Sequence, residues 1–201
     1  VTPKQKIKAS KFLCLILRHK PEVGGIVVDS EGWANSQSVL RALQDNFAGM
    51  TNTILQEIVA EDEKQRYSFS PHMANIRANQ GHSLPVELGL VEIEPPEFLF
   101  HGTAKKTVWM IRRDGLLPMD RQYVHLSETE ETAIKVGKRH GEPVVLIVRA
   151  WEMYALGGLS FFRSENGVWM SQAVPSDYLI FRELSDDEQE TDHPYVLSQR
   201  G

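Results

Sequence analysis

The sequence predicts an α+β protein in two parts, and three features of its texture lead there. Apolar residues recur at helical spacing through the first sixty positions, a proline- and glutamate-rich stretch follows over residues 84–97, and short β-like runs dominate beyond it. At 201 residues, 41% of them hydrophobic, the chain can bury one sizeable core or two small ones.

Taken in order, residues 11–19 read as a buried helix capped by Ser10 and stopped by Lys20-Pro21. After the Gly24-Gly25 break, residues 26–28 suggest a short strand that ends in the turn Asp29-Ser30-Glu31-Gly32. Asn35 or Ser36 caps a helix through Leu43, with Val39, Leu40 and Leu43 on one face. Another helix spans residues 53–61, with Ile54, Leu55, Ile58 and Val59 inward. Residues 66–70 alternate like a strand, and residues 76–78 can pair with them across a turn. Three helices followed by a two-stranded hairpin is the layout of a winged-helix module, which places a first lobe over residues 1–84 and a linker over residues 85–97. Beyond it, strands are expected over residues 98–100, 123–126, 144–150 and 178–181, and helices over residues 106–114 and 130–140. That makes a second lobe of residues 98–182, followed by an acidic, mobile tail over residues 183–201.

Composition narrows the function classes. The single cysteine, Cys14, allows no intramolecular disulfide and no cysteine-only metal site, and its apolar neighbours mark it as a buried helix residue. Trp33, Trp109 and Trp169 read as core, and His72 and His193 as surface. No apolar run approaches the roughly 20 residues that span a bilayer, and the lysine-dotted start lacks a secretory apolar stretch, so a cytoplasmic monomer is expected. The net charge of −5 is concentrated in the tail: residues 183–201 hold six acids and one base, which leaves 21 of each in the rest. The first 20 residues carry six basic residues and no acid, a local field that suits nucleic acid or merely a solvated helix face.

Polar clusters sit where the chain turns: Arg18-His19-Lys20-Pro21, Arg77 to Ser83, His101-Gly102-Thr103, His125-Leu126-Ser127, Arg139-His140-Gly141 and Glu165-Asn166-Gly167-Val168. Arginine's planar fork matches a phosphate bidentately, and histidine both donates to phosphate and exchanges protons near neutrality. A strand ending in His-Gly-Thr offers a side-chain donor and exposed backbone N–H groups to a pyrophosphate or ribose. The seven histidines never fall in His-x-x-x-His spacing, and no P-loop, Rossmann glycine fingerprint or Gly-x-Ser-x-Gly elbow occurs, so no metal site is expected. The residues alone therefore point to a phosphate-handling protein.

Specific strings go further. Ser10-Lys11-Phe12-Leu13 leading to Leu17-Arg18-His19-Lys20-Pro21, residues 29–34, Lys64-Gln65-Arg66-Tyr67 and residues 76–83 resemble the RNA 2′-phosphotransferase family, also called tRNA 2′-phosphotransferases. Residues 99–103, 123–127 and 136–143 and Glu165-Asn166-Gly167-Val168-Trp169 extend the resemblance, in order, to about Phe181. The resemblance implies a winged-helix lobe joined to an ADP-ribosyltransferase-like lobe with the active site between them. It also implies NAD⁺ as a consumed co-substrate and RNA carrying a 2′-phosphate, of the tRNA splice-junction type, as partner. In such enzymes the 2′-phosphate displaces nicotinamide to give an ADP-ribosylated RNA. The ribose 2″-hydroxyl then takes the phosphoryl group, yielding 2′-OH RNA and ADP-ribose 1″,2″-cyclic phosphate.

Carried over residue by residue, the family's Arg-His-Arg-Arg tetrad implies Arg18, His19, Arg66 and Arg121 as catalytic, with His19 as proton shuttle. His101, His125 and Val168 are the implied triad of the cofactor site, joined by Gly102, Thr103, Ser127 and Asn166. Arg77, His82, Ser83, Arg139 and His140 are implied for the substrate. Each has a plainer alternative: Arg18 and His19 favouring a helix dipole, Arg66 and Arg121 as surface residues, His82 and Ser83 fixing the lobe junction, Arg139 and His140 capping a helix, and Asn166 in a left-handed turn beside Gly167. Tyr67 stands where phenylalanine is common, and the tail has no counterpart in the resemblance. Competing functions are an ADP-ribosyltransferase that modifies phosphorylated nucleic-acid ends, and a non-catalytic RNA- and NAD⁺-binding regulator.

Overall fold

A computed structural model of the chain describes residues 1–181; the acidic tail expected over residues 183–201 lies outside them. The first helix, α1 (Pro3–Arg18), begins at Pro3 rather than at residue 11. Thr2 and Gln5 form a capping box there, and proline, whose missing N–H costs nothing at this position, opens the helix. The outward lysines are ordinary helix formers, and Ala9, Leu13, Ile16 and Leu17 form the fully buried face. Lys6 reaches Glu57 and Glu61 at 2.8 and 3.1 Å, tying α1 to a later helix.

Residues 26–28 do not form the expected strand. Gly25, with φ of 60°, ends a short 3₁₀ turn (Pro21–Gly24), and Val28 makes only an isolated bridge to Ala34 while Val27 is 84% exposed. The turn that follows forms as read: Asp29 Oδ1 accepts from the Glu31 and Trp33 N–H groups and delivers the chain into β1 (Trp33–Asn35). Asn35 caps α2 (Ser36–Asn46) and Thr51 caps α3 (Asn52–Ala60), each through its side-chain oxygen. The strands β2 (Tyr67–Phe69) and β3 (Asn75–Ala78) then pair as expected, but β1 joins them, so the sheet has three antiparallel strands in the order β1-β3-β2. Ile76 pairs with both Ala34 and Phe69 at the centre of a core that also contains Leu13, Ile16, Val39, Leu43, Leu55 and Ile58. Cys14 is only half-buried at the edge of that core, because it sits on the flank of α1 rather than on its inward face.

Residues 84–98 run without helix or strand, save a single bridge from Glu92 to Phe162. The segment is nonetheless tied on both sides, by Glu87 N–H to the Ser30 carbonyl at 2.7 Å and Ile93 N–H to the Phe161 carbonyl at 2.9 Å. Beyond it come β4 (Leu99–Ala104), α4 (Val108–Asp114), β5 (Val124–Leu126), α5 (Glu130–Gly137), β6 (Pro143–Val148), α6 (Ala150–Ala155), β7 (Phe161–Arg163), β8 (Trp169–Ser171) and β9 (Leu179–Phe181). The last helix and the β7–β8 pair went unanticipated: the strand expected over residues 144–150 ends at Val148 and gives way to α6, and residues 164–169 read in sequence only as a polar turn cluster. Two antiparallel sheets result, β4-β6-β9 and β5-β8-β7, joined where Phe100 and Ser127 exchange backbone hydrogen bonds of 2.9 and 2.7 Å. Leu99, Leu146, Val148, Met153, Phe161 and Trp169 form a second core between them. Trp109 is not in it: α4 buries Val108, and Trp109 is 60% exposed with Arg113 over its ring. The fold is thus mixed α/β with small antiparallel sheets, and no helix among the described residues is long and apolar enough to cross a membrane.

Helix α5 lies close on β4 because neither surface carries a Cβ at the crossing. A methyl group on Gly102 would stand 1.7 Å from the Ala133 carbonyl oxygen, and one on Gly137 would stand 2.8 Å from that of Thr103. Since backbone cannot yield cheaply, Gly102→Ala is expected to lower unfolding stability by about 3 kcal/mol, read by urea denaturation. A midpoint within error of the parent chain would disprove the close-packing account of Gly102.

Candidate active site

The last turn of α1 carries Arg18 into the interior, where it is 8% exposed and its Nε and Nη2 have no hydrogen-bond partner. A buried guanidinium with idle donors is costly, so the position is better suited to an arriving anion than to a structural role or to a helix dipole alone. The loop after β3 passes directly beneath it. Gly81, at φ of 86°, lets that loop approach, for a Cβ there would meet Arg18 Nη1 at 3.3 Å. Ser83 N–H donates to the Arg18 carbonyl at 3.0 Å, and its hydroxyl lies 3.0 Å from His19 Nδ1. The hydroxyl also donates to the Arg18 carbonyl at 3.5 Å and so accepts from Nδ1–H, which leaves His19 Nε2 as the free, proton-accepting atom.

The second half supplies the opposing wall. His125 stands in the middle of β5, and Arg121, in the loop before it, donates from Nη1 to His125 Nδ1 at 3.2 Å. Arginine can only donate, so this contact fixes the tautomer of neutral His125 with its proton on Nε2, a buried donor with no partner. His101 of β4 donates from Nδ1 to the His125 carbonyl at 3.1 Å and therefore presents Nε2 as an acceptor. One edge of this wall can thus give a hydrogen bond to a ligand and the other can take one.

These groups share one electrostatic field. Burial, then Arg121 and Arg18, push His125 down to about 3. Burial, then Arg18, His19 and Arg77, push His82 down to about 4. His19 is lowered by burial and by Arg18 and Arg121, against a weaker opposite pull from Asp120. His101 is lowered chiefly by burial, with His140 and Arg121 adding to it against its bond to the His125 carbonyl. Desolvation and Arg18 lower Arg121 as well. Arg18, His19, Arg121 and His125 therefore converge, with His82, His101 and His140 close by. Among the described residues no cluster of His, Cys, Asp and Glu could hold a metal ion.

Other expected residues are differently engaged. Arg66 is half-buried and ion-paired with Asp62, and it lines a cleft of about 570 Å³ with Ser10, Lys11, Cys14, Lys64 and Tyr67. That cleft contains none of Arg18, His19, Arg121 or His125, although Arg18 and Arg66 both act on the Tyr67 hydroxyl. Arg139, exposed after α5, acts on Lys64 and so lies on the same side. Arg77 lies over the Trp33 ring at 4.4 Å and pairs with Glu165 at 2.6 Å. Asn166 donates to the Lys64 carbonyl at 2.8 Å and accepts from Ser164 Oγ at 2.6 Å; the left-handed residue of its turn is Gly167, at φ of 78°. Thr103 Oγ1 is bonded to Thr107 Oγ1 at 2.7 Å, Ser127 is held through its backbone to Phe100, and the Val168 N–H is bonded to Ser164 Oγ at 3.0 Å. Gly102 has its packing role against α5.

Residues the sequence did not single out hold this arrangement. Asn79 donates from Nδ2 to the Gln65 carbonyl at 2.7 Å and from its backbone N–H to the Arg66 carbonyl at 2.8 Å, while Gln122 bonds both His82 and Val86 carbonyls. Asp62, four residues before Arg66, was the one legible pairing.

His82 has a direct thermodynamic consequence. It is 1% exposed, both ring nitrogens lack partners, and the fold keeps it neutral well below the ordinary histidine range near 6.5. Below about pH 6.5 the unfolded chain takes up a proton that the folded chain refuses, so stability falls as pH drops from about 6.5 toward 4 and then levels. For this group the loss is about 3 kcal/mol. His82→Gln is expected to remove that share of the slope in urea melts run between pH 7 and 4; an unchanged slope would mean that His82 titrates normally in the fold.

The family described as RNA 2′-phosphotransferase, Tpt1/KptA, matches residues 4–173. A protein of Agrobacterium fabrum named "Probable RNA 2′-phosphotransferase" is 48% identical over 170 residues, 85% of this chain and 91% of its own length. Proteins of the same name from Herpetosiphon aurantiacus and Escherichia coli O6:K15:H31 are 46% and 45% identical, over 86% and 88% of this chain and 94% and 96% of theirs. Matches of this extent span both cores and both walls of the site, and the chain belongs to the RNA 2′-phosphotransferase family.

Proposed function

We propose that this protein removes a 2′-phosphate from RNA, with NAD⁺ as the acceptor of the phosphoryl group. The observation that carries the reading is the convergence of unsatisfied donors from both halves of the chain: Arg18 Nε and Nη2 on one side, His125 Nε2 on the other, with Arg121 between. A dianionic phosphate satisfies such donors and relieves the repulsion among the cations at the same time.

In this reading residues 1–84 act as a winged-helix RNA lobe and residues 98–182 as an ADP-ribosyltransferase-like lobe. NAD⁺ would supply the ribose carbon and hydroxyl that receive the phosphate, leaving as nicotinamide and ADP-ribose 1″,2″-cyclic phosphate. The residues present suit it, since His101 Nε2 can accept from a ribose hydroxyl and His125 Nε2–H can donate to an oxygen beside it. Arg18, Arg66 and Arg121 hold the phosphate oxygens and stabilise the charge that gathers on them. His19 Nε2, kept basic-side free by the bond from Nδ1 to Ser83, takes up and returns the proton of the attacking hydroxyl. Because a 2′-phosphate is already ionised near neutrality, its own attack needs no carboxylate base.

The test uses an oligoribonucleotide with one internal 2′-phosphate, with and without NAD⁺, and products weighed by mass spectrometry. Loss of the phosphate only with NAD⁺, matched by equal cyclic phosphate, is expected. Arg18→Ala is expected to slow it about 10²- to 10³-fold, and Arg18→Lys to restore little, since a lysine cannot reproduce the fork. Phosphate release that ignores NAD⁺ would sink the acceptor assignment, and an inert parent protein would sink the reading as a whole.

A further inference from the structure

The turn between β7 and β8 reaches across to the first half of the molecule, and its two polar residues are spent there. Glu165 accepts from Arg77 Nη2 at 2.6 Å and from Ser68 Oγ at 3.1 Å, one partner for each carboxylate oxygen. Asn166 donates to the Lys64 carbonyl at 2.8 Å. These contacts bracket Arg66, two residues after Lys64 and two before Ser68.

The loop they grip would not hold its shape unaided. Gln65 sits in the left-handed region at φ of 45°, which costs a non-glycine residue about 1–2 kcal/mol. The loop is fixed by bonds to every carbonyl in turn: Lys64 to Asn166, Gln65 to Asn79 Nδ2, Arg66 to the Asn79 N–H, with Asp62 accepting from the Arg66 N–H at 2.6 Å. Only the Asn166 bond comes from the second half of the chain.

The other end of the connection is stiff. Ser164 clamps Val168 through its hydroxyl and backbone, and β8 continues directly into pairing with β5, where Met170 faces His125 and Trp169 faces Leu126. A displacement of the turn would therefore shift Arg66 relative to His125 and Arg121. We infer that Glu165 and Asn166 are positioning residues that dock the Arg66 loop against the β5 wall, so that one phosphate is met from both sides. This rests on the phosphotransfer reading above, and it gives Asn166 a role toward the RNA phosphate instead of the cofactor.

The two roles separate in kinetics. Asn166→Asp keeps size but loses the donor to Lys64, and Glu165→Ala removes both acceptors while Glu165→Gln retains one for Ser68. With 2′-phosphorylated RNA and NAD⁺ varied separately, Asn166→Asp and Glu165→Ala are expected to lower kcat/KM for RNA about tenfold and to leave KM for NAD⁺ within twofold. Glu165→Gln is expected to recover most of the loss, and hydrogen exchange of residues 64–68 to quicken in the two impaired variants. A rise confined to KM for NAD⁺, or parent-like kinetics in both, overturns the proposal. Direct titration with the same RNA and no NAD⁺ reads the effect without turnover, as about tenfold weaker binding. An inert parent whose variants still bind more weakly would defeat the phosphotransfer reading alone, whereas unchanged binding together with unchanged hydrogen exchange would defeat the positioning role.

Discussion

Burying Arg18 is the constraint around which the rest of the molecule is arranged. A guanidinium taken from water without its hydrogen bonds is destabilising by several kcal/mol, and here two of its nitrogens are left idle. The cost is offset along the same helix: Ala9, Leu13, Ile16 and Leu17 are wholly buried, each large apolar side chain contributing about 1.5–3 kcal/mol. Because the favourable and unfavourable residues share one rigid element, Arg18 cannot turn to solvent without withdrawing its neighbours from the core. Rigid secondary structure thus uses hydrophobic burial to hold a guanidinium with idle donors in a fixed place.

The same constraint governs the histidines. A site already holding Arg18 and Arg121 would be strongly repulsive if His19, His82 and His125 were also charged, and all three lie below the ordinary histidine range. Neutrality in turn makes their hydrogen bonds directional. His125 must accept from Arg121 and so points a donor at the site, and His101 must donate to the His125 carbonyl and so points an acceptor. Both of these tautomer-fixing contacts lie in the second half of the chain, and Arg18 of the first half adds to the charge crowding that keeps His125 neutral.

Much of this was legible in the sequence, and the failures have physical causes. Helix α2 announced itself through period and the Asn35 cap together, and α3 through its apolar period alone, its Thr51 cap being missed. The start of α1 did not, because its outer turns carry lysines and no apolar stripe, and the capping box at Thr2 and Gln5 was overlooked. Strands β7 and β8 flank the polar turn Glu165-Asn166-Gly167, whose cluster character drew the reading away from the short apolar runs on either side. Among the site residues, Arg18, His19, Arg121, His101 and His125 were recognised from motifs, and the structure brings them together. What motifs cannot convey is which polar side chains are already occupied. Arg77 and Asn166 look as available in sequence as Arg18, yet Arg77 Nη2 and Asn166 Nδ2 are bonded to residues about ninety to a hundred positions away along the chain.

In the proposed reaction, phosphate binding is expected to change the protonation of His19 with no need for additional residues. Burial first, and Arg18 and Arg121 after it, hold His19 below its usual range, so that it stands neutral with Nε2 able to accept a proton. A phosphate dianion bound between the arginines cancels the repulsion that lowers His19 and adds an attraction that raises it. The group that can take a proton from a hydroxyl is thereby stabilised once it holds that proton, and it can give it back when the phosphate leaves. In the proposed reaction the substrate's own charge tunes the base that acts on it, so three arginines and a neutral histidine suit the site where a carboxylate would compete with the phosphate for the same donors.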